Sequence, residues 1–193
     1  SLPKARNNGK PAGVPLFLAL GRLHPNKSFD MLIDALTKVP TAHLWLAGEG
    51  PLERTLSNQV VRLKLADRVH LLGWREDVAA LMASADVLVC PSRHEPLGNI
   101  IIEAWAQGLP VIAADAQGPK ALIKSGETGL LVPRGDVDAL AAAMTRLAGD
   151  QSLAGDLAEA AHQAYLEQFS QRAVVERYIA FFERAMLGEG LAP

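Results

Sequence analysis

Residues 87–103 read VLVCPSRHEPLGNIIIE, and this stretch contains the pattern on which the fold depends. The apolar residues Val87 to Cys90 have the length of a buried strand, and a helical sequence follows the polar loop. Pro96 has no amide hydrogen and suits the first turn of a helix, so we expect that helix to begin at about Leu97. The segment therefore predicts a strand that leads through a short loop into a helix.

The same alternation continues along most of the chain. Six apolar runs of strand length occur at residues 14–20, 43–48, 69–73, 87–91, 110–114 and 129–133. Most are nearly continuous in apolar character, as strands covered on both faces are. Segments with helical spacing separate them, which predicts an α/β fold: a Rossmann-like, doubly wound parallel sheet of about six strands with helices on both faces. Ligands of such sheets bind at the carboxyl ends of the strands.

Composition narrows the class of function. The chain has 193 residues, of which 49% are apolar, and 19 basic against 21 acidic side chains give a net charge of -2. This balance lacks the basic excess of nucleic-acid-binding proteins, so we expect no nucleic-acid partner. The single cysteine, Cys90, lies in an apolar run and is expected to be a buried structural thiol. The lone cysteine cannot form an intramolecular disulfide and fits a reducing compartment, so we expect a cytoplasmic protein, and the lack of a long apolar segment predicts that it is soluble.

The two ends of the chain differ from its middle. Residues 1–13 are basic and rich in Pro, Gly and Asn, which predicts a linker ahead of a domain over 14–150. In residues 151–193, helical patterns at 152–168 and 171–187 follow each other without a strand, and Ser170 suits the N-cap of the second. That second helix carries a wide apolar stripe, which we expect to pack on this domain's own sheet. Alternatively, part of it covers a neighbouring domain outside this chain.

The loop after the fourth run is a candidate anion site. Amides of Leu97, Gly98 and Asn99 would point beyond the strand, with the positive end of the helix dipole behind them. Glu95 and Glu103 bracket these amides and could accept hydrogen bonds from hydroxyls at either end of a diphosphate. Taken singly, Glu95 could instead complement the helix dipole, and Glu103 could be a solvated helix residue.

The turn after the first run offers two cations, Arg22 and Lys27. Placed at the carboxyl end of a strand, they could neutralise adjacent phosphates without a metal, although two solvated loop cations are the alternative. Ser28 is predicted to cap the next helix. Asp136 is likewise predicted to be an N-cap, and the histidines lack metal-ligand spacing, so we predict no metal site.

Together these motifs resemble the retaining glycosyltransferases of family 4. In the family's order they are GRL at 21–23 with Lys27, LAGEGPL at 46–52, VHLLG at 69–73, and PSRHEPLG at 91–98 with Glu103. The resemblance covers about residues 14–182 and implies the C-terminal, nucleotide-sugar-binding domain of a GT-B fold, without the N-terminal acceptor domain. One departure is Ala121, which stands where the family often has a glutamate.

The resemblance implies a role for each candidate residue. Arg22 and Lys27 would bind the donor diphosphate and stabilise the departing nucleoside diphosphate. Glu95 would lie near the hydroxyls of the donor sugar, and Glu103 would bind the ribose. The remaining contacts would be the amides of Leu97, Gly98 and Asn99 under the sugar and diphosphate, and Trp74 near the base.

The resemblance implies that the chain is one of the two domains of an enzyme. It would bind a UDP-, GDP- or ADP-sugar, need no further cofactor, and serve transfer to a sugar, lipid or glycan acceptor in glycan, lipopolysaccharide or glycolipid synthesis. The acceptor would bind through the N-terminal domain, and the full protein could touch the inner membrane face peripherally. Alone, the chain is expected to transfer little. The alternatives are a nucleotide-sugar epimerase of similar fold and a non-catalytic module for a phosphorylated ligand.

Overall fold

A computed structural model describes residues 13–187, so the predicted linker lies almost wholly outside the described residues. The strands are β1 (Leu16–Leu20), β2 (His43–Ala47), β3 (Val69–Gly73), β4 (Val87–Cys90), β5 (Val111–Ala114) and β6 (Leu130–Val132). The helices are α1 (Phe29–Leu36), α2 (Glu53–Arg62), α3 (Val78–Ser84), α4 (Asn99–Ala106), α5 (Gln117–Leu122), α6 (Val137–Gly149), α7 (Gln151–Gln168) and α8 (Gln171–Met186).

All strand pairs are parallel, in the order β3-β2-β1-β4-β5-β6. The chain builds outward from β1 to β3 on one side and from β4 to β6 on the other. The loops after β1 and β4 therefore diverge at the centre of the sheet, and this switch point is where open α/β sheets form their ligand crevice. The predicted doubly wound fold is confirmed.

Both faces of the sheet are covered, because successive residues of a strand point to opposite sides. In β1, Phe17 belongs to the core formed with α1 and α6, whereas Leu18 belongs to the core formed with α4 and α7. The buried strands explain why their sequences are almost continuously apolar. Cys90 is buried in the second core, and burial raises the pKa of its thiol, in keeping with the predicted structural role.

The C-terminal tail differs from the prediction in one respect. Ser170 caps α8 as predicted, since its hydroxyl oxygen accepts a hydrogen bond from the Ala173 amide at 3.2 Å. The expectation that the apolar stripe packs on the sheet is wrong, because α7 already covers α4 and α8 meets the domain chiefly through α7. None of the described α8 side chains is buried. The large apolar side chains of the predicted stripe are 48–81% exposed: Val175, Tyr178, Ile179, Phe182 and Met186.

Two local predictions about helix starts are also corrected. Helix α4 begins at Asn99 and not at about Leu97, because Gly98 takes a left-handed conformation with φ 74° and separates Pro96 from the helix. Ser28 precedes α1 but makes no side-chain capping bond, since its own φ is 54° and its hydroxyl is turned into the protein. Asp136 does cap α6, accepting from the Ala139 amide at 2.8 Å. Within residues 13–187, no helix is long and apolar enough to span a membrane.

Candidate functional site

A cleft of about 610 Å³ opens at the carboxyl ends of the central strands. It lies where the loops after β1, β2, β3 and β4 converge beside the first turns of α4. Six of the predicted site residues line it, namely Arg22, Lys27, Trp74, Glu95, Asn99 and Glu103. Leu97 and Gly98 do not line it, since the Leu97 side chain is exposed elsewhere and Gly98 is buried at the start of α4.

Backbone atoms of the loops after β1, β2 and β3 form the floor of the cleft. Gly48 follows β2 and lies so close to the β1 loop that a Cβ atom there would stand 2.0 Å from the carbonyl oxygen of Gly21. Its amide donates to the Gly73 carbonyl at 2.8 Å, and the Gly21 amide donates to the Ala47 carbonyl at 3.0 Å. Three neighbouring loops are therefore held side by side. Gly48 also has φ 136°, a conformation that glycine adopts most readily.

The β1 and β4 loops are joined by polar contacts. Nζ of Lys27 lies 2.5 Å from Oε2 of Glu95, in an ion pair whose side chains are only 27% and 13% exposed. Arg93 donates its amide hydrogen to the Asn26 carbonyl at 2.8 Å. The buried Ser92 hydroxyl lies 3.4 Å from the same Glu95 oxygen. An ammonium has three donors and a carboxylate several acceptor sites, so this ion pair leaves both groups able to bind a ligand.

Arg22 and Glu103 lie at the cleft without such partners. Both side chains are exposed, and neither forms an ion pair within residues 13–187. Arg75 differs, because its guanidinium binds the Asp77 carboxylate through two bonds of 2.7 and 2.6 Å. This pairing lowers the pKa of Asp77 and raises the pKa of Arg75. Glu49 at the same cleft is also exposed and forms no ion pair within residues 13–187, so Arg22, Glu103 and Glu49 are the charged groups most available to a ligand.

The segment from Glu95 to Gly98 rests directly on α5. Gly118 donates its amide hydrogen to the Glu95 carbonyl at 2.8 Å. A Cβ on Gly118 would stand 2.7 Å from that carbonyl oxygen and from the carbonyl carbon of Leu97, so backbone packs on backbone here. The exposed Ala121 lies on the same short helix. This contact fixes the loop that carries Glu95.

Several lining residues were not assigned a role from the sequence. Gly48, Glu49, Arg75, Val78 and Ile100 line the cleft as well. The segment at 48–50 follows a strand, and the rule that ligands bind at strand ends indicates it without any dinucleotide motif. Within residues 13–187, no group of three or more His, Cys, Asp or Glu side chains is placed to hold a metal ion.

Comparison with known proteins identifies the family. The sequence pattern described as glycosyl transferases group 1 matches residues 14–150, which is more than half of the chain. The chain belongs to this family. The matched range contains the whole six-stranded sheet and every residue that lines the cleft, whereas α7 and α8 follow it. The glycosyltransferase family indicated by the sequence motifs is thereby confirmed.

Individual relatives and solved structures support the assignment. The lipopolysaccharide core biosynthesis glycosyltransferases LpsE and LpsD of Rhizobium meliloti are 38% and 35% identical over 169 and 176 residues. These alignments cover 88% and 91% of this chain but 50% and 51% of the relatives. Anabaena Alr3699/HepE, solved with UDP, superposes with a TM-score of 0.84 at 30% identity, over 89% of this chain and 49% of that chain. The chain thus spans about half the length of these relatives.

Proposed function

We propose that this chain is the donor-binding half of a retaining glycosyltransferase that uses a nucleoside-diphosphate sugar. The observation that carries the proposal is the cleft at the switch point, which brings together the cations Arg22 and Lys27, the glutamates Glu95 and Glu103 and the exposed Trp74. Anabaena HepE, similar in fold and 30% identical, has been solved with UDP and with UDP-glucose, which supports a ligand of this class. The glycosyltransferase names of the relatives favour transfer over epimerisation or simple binding.

The proposed donor pose follows the positions of the side chains. Arg22 and Lys27 would contact the diphosphate from the β1 loop, opposite the start of α4 and its Asn99 amide. Glu103 lies one turn further along α4 and would accept hydrogen bonds from the ribose hydroxyls. The exposed ring of Trp74, after β3, would lie against the base.

The proposed chemistry is stabilisation of a leaving group. As the bond between the anomeric carbon and the diphosphate oxygen breaks, negative charge grows on that oxygen. Arg22 and Lys27 would stabilise this charge more in the transition state than in the bound donor, which is the condition for catalysis. Glu95 would keep the Lys27 ammonium in place through their 2.5 Å contact while it binds hydroxyls of the sugar. Retention would follow if the acceptor oxygen bonds to the anomeric carbon on the face that the diphosphate leaves, with the acceptor's proton passing to the departing diphosphate oxygen.

The acceptor would be bound by a domain outside this chain. We propose that the exposed apolar stripe of α8 packs on that domain, because the relatives are about twice as long. The acceptor would be a sugar, lipid or glycan in glycan, lipopolysaccharide or glycolipid synthesis. The whole protein would then work in the cytoplasm, with peripheral contact to the inner face of the membrane.

Calorimetric titration of the 193-residue chain with UDP, GDP and ADP tests the donor assignment. One nucleotide should bind best, and Glu103→Gln should weaken it by about tenfold, equal to about 1.4 kcal/mol, through loss of charge-assisted hydrogen bonds. Glu127→Gln is the matched control, because Glu127 is exposed and lies outside the cleft. Absence of binding at millimolar nucleotide, or an equal effect of both substitutions, would contradict the proposal.

A further inference from the structure

A second, smaller pocket opens beside the cleft at the same edge of the sheet. It measures about 420 Å³ and is lined by Arg93, Asp115, Arg134 and Gly135. These residues follow β4, β5 and β6, which are adjacent strands. Because Arg93 precedes Glu95 by two residues, one loop contributes to both the pocket and the cleft. The pocket therefore adjoins the place where the donor sugar is proposed to lie.

The pocket carries more positive than negative charge. The Asp115 carboxylate accepts from both the backbone amide and Nε of Arg134, at 3.1 and 3.3 Å. This contact orients the Arg134 guanidinium and leaves its two terminal nitrogens without a hydrogen-bond partner in the described part of the chain. Arg93 is exposed and forms no ion pair within residues 13–187, while its backbone is fixed on the Asn26 carbonyl. Two guanidinium groups thus face one carboxylate.

The approach to these arginines is open. Gly135 has φ 79°, and a Cβ placed on it would have no atom within 4 Å. The next carboxylate along the chain, that of Asp136, is engaged in capping α6 through the Ala139 amide. The start of that 13-residue helix adds the positive end of its dipole to the same side. The local arrangement consequently favours an anionic ligand.

We propose that this pocket is an anion subsite that binds a phosphate or carboxylate group of the acceptor. Guanidinium groups suit this task, because their planar donors match the oxygens of either anion in pairs. The identification of the bound anion as part of the acceptor rests on the proposed function. It would hold the acceptor beside Glu95 and select acidic acceptors over neutral ones.

The test is an NMR titration of the 193-residue chain with methyl phosphate and with glucuronate at constant ionic strength. The backbone amides of Asp115, Arg134 and Gly135 should shift, and the Kd should rise at least about fivefold in Arg93→Gln and in Arg134→Gln. Arg146→Gln is the control, an exposed arginine on α6 outside the pocket, and should leave the Kd within about twofold. Neutral methyl glucoside should shift none of these amides. Equal affinities in all variants would overturn the proposal.

The anionic group could belong to a lipid headgroup or to a soluble sugar. Vesicles of phosphatidylglycerol and of phosphatidylcholine separate these sources by co-sedimentation. Binding to the anionic vesicles that falls in Arg134→Gln but not in Arg146→Gln would assign the subsite to a lipid headgroup. Binding of glucuronate or methyl phosphate alone would assign it to a soluble acceptor. Vesicle binding reduced equally by both substitutions, without binding of either soluble anion, would contradict the subsite.

The donor site is measured in parallel so that the two proposals can fail separately. Arg134→Gln should leave the affinity for the preferred nucleoside diphosphate within about twofold, because Arg134 lies outside the cleft. If nucleotide binds but methyl phosphate shifts only residues of the cleft, the anion subsite is wrong and the donor assignment stands. If no nucleotide binds while methyl phosphate still acts through Arg93 and Arg134, the anion subsite stands without the donor function.

Discussion

The donor cleft and the outer face of α8 are both open to solvent, but they are built in different ways. In the cleft, the approach of Gly48 to Gly21 and the Lys27–Glu95 ion pair join loops of the same domain. On α8, none of the described side chains is buried, the helix meets the domain chiefly through α7, and the rings of Tyr178 and Phe182 stack on each other. The shape of the cleft is thus encoded within this chain, whereas the apolar residues of α8 require an explanation outside it.

Among substitutions in the cleft and on α8, the largest effect is expected from Gly48→Ala. The new Cβ would collide with the Gly21 carbonyl, and the backbone would keep an unfavourable φ, so the free energy of unfolding should fall by about 2–4 kcal/mol and nucleotide binding should be lost. Gly155→Ala is the control, because this helical glycine has open space around it and should gain about 0.5–1 kcal/mol. Chemical denaturation and calorimetry measure both. Retained stability and binding in Gly48→Ala would show that the loops do not depend on each other.

A smaller effect is expected from Ser92→Ala. Its hydroxyl lies 3.4 Å from Glu95, so its removal should lower affinity for the nucleotide sugar by about two- to threefold and leave affinity for the free nucleotide unchanged. Ser84→Ala removes another buried hydroxyl, which donates to the Ala80 carbonyl on α3, and should not affect either affinity. If Ser92→Ala and Ser84→Ala both bind the nucleotide sugar and the free nucleotide as tightly as the unsubstituted chain does, Ser92 does not position Glu95.

The smallest effect on stability is expected on α8. Phe182→Ala should change the free energy of unfolding of this chain by less than about 0.5 kcal/mol, because the side chain is 57% exposed. The same substitution at the buried Phe29 should cost about 3–5 kcal/mol. Because an exposed apolar stripe favours self-association, we expect the 193-residue chain to self-associate, and sedimentation should show less self-association in Phe182→Ala. A cost above about 2 kcal/mol at Phe182 would mean that α8 packs on its own domain in solution.

The sequence predicts the fold well because the decisive signals are local and repeated. Runs such as Val69–Gly73 are strands with the predicted bounds, and the N-caps Ser170 and Asp136 act as predicted. Periodicity also identifies α8 correctly as a helix. It does not determine what the helix packs against, because an apolar stripe has the same spacing whether its partner belongs to this chain or to another domain.

The sequence predicts which residues form the site, but it does not predict the contacts between them. Strand-end positions and motif order bring Arg22, Lys27, Glu95 and Glu103 to one cleft, as the alternation of strands and helices implies. The Lys27–Glu95 ion pair joins residues 68 positions apart and depends on side-chain geometry that no local pattern contains. The later start of α4 has a similar cause, since the left-handed Gly98 follows from how the loop rests on α5.

Fluorescence of Trp74 tests the central claim most directly. Of the three tryptophans, Trp45 and Trp105 are 5% and 1% exposed in the core, whereas Trp74 is 69% exposed at the cleft. The preferred nucleoside diphosphate should change the emission of the chain and protect it from acrylamide quenching, and Trp74→Phe should abolish this signal while calorimetry still detects binding. Nucleotide binding that leaves Trp74 fully accessible to acrylamide, or an emission change that persists in Trp74→Phe, would contradict the account.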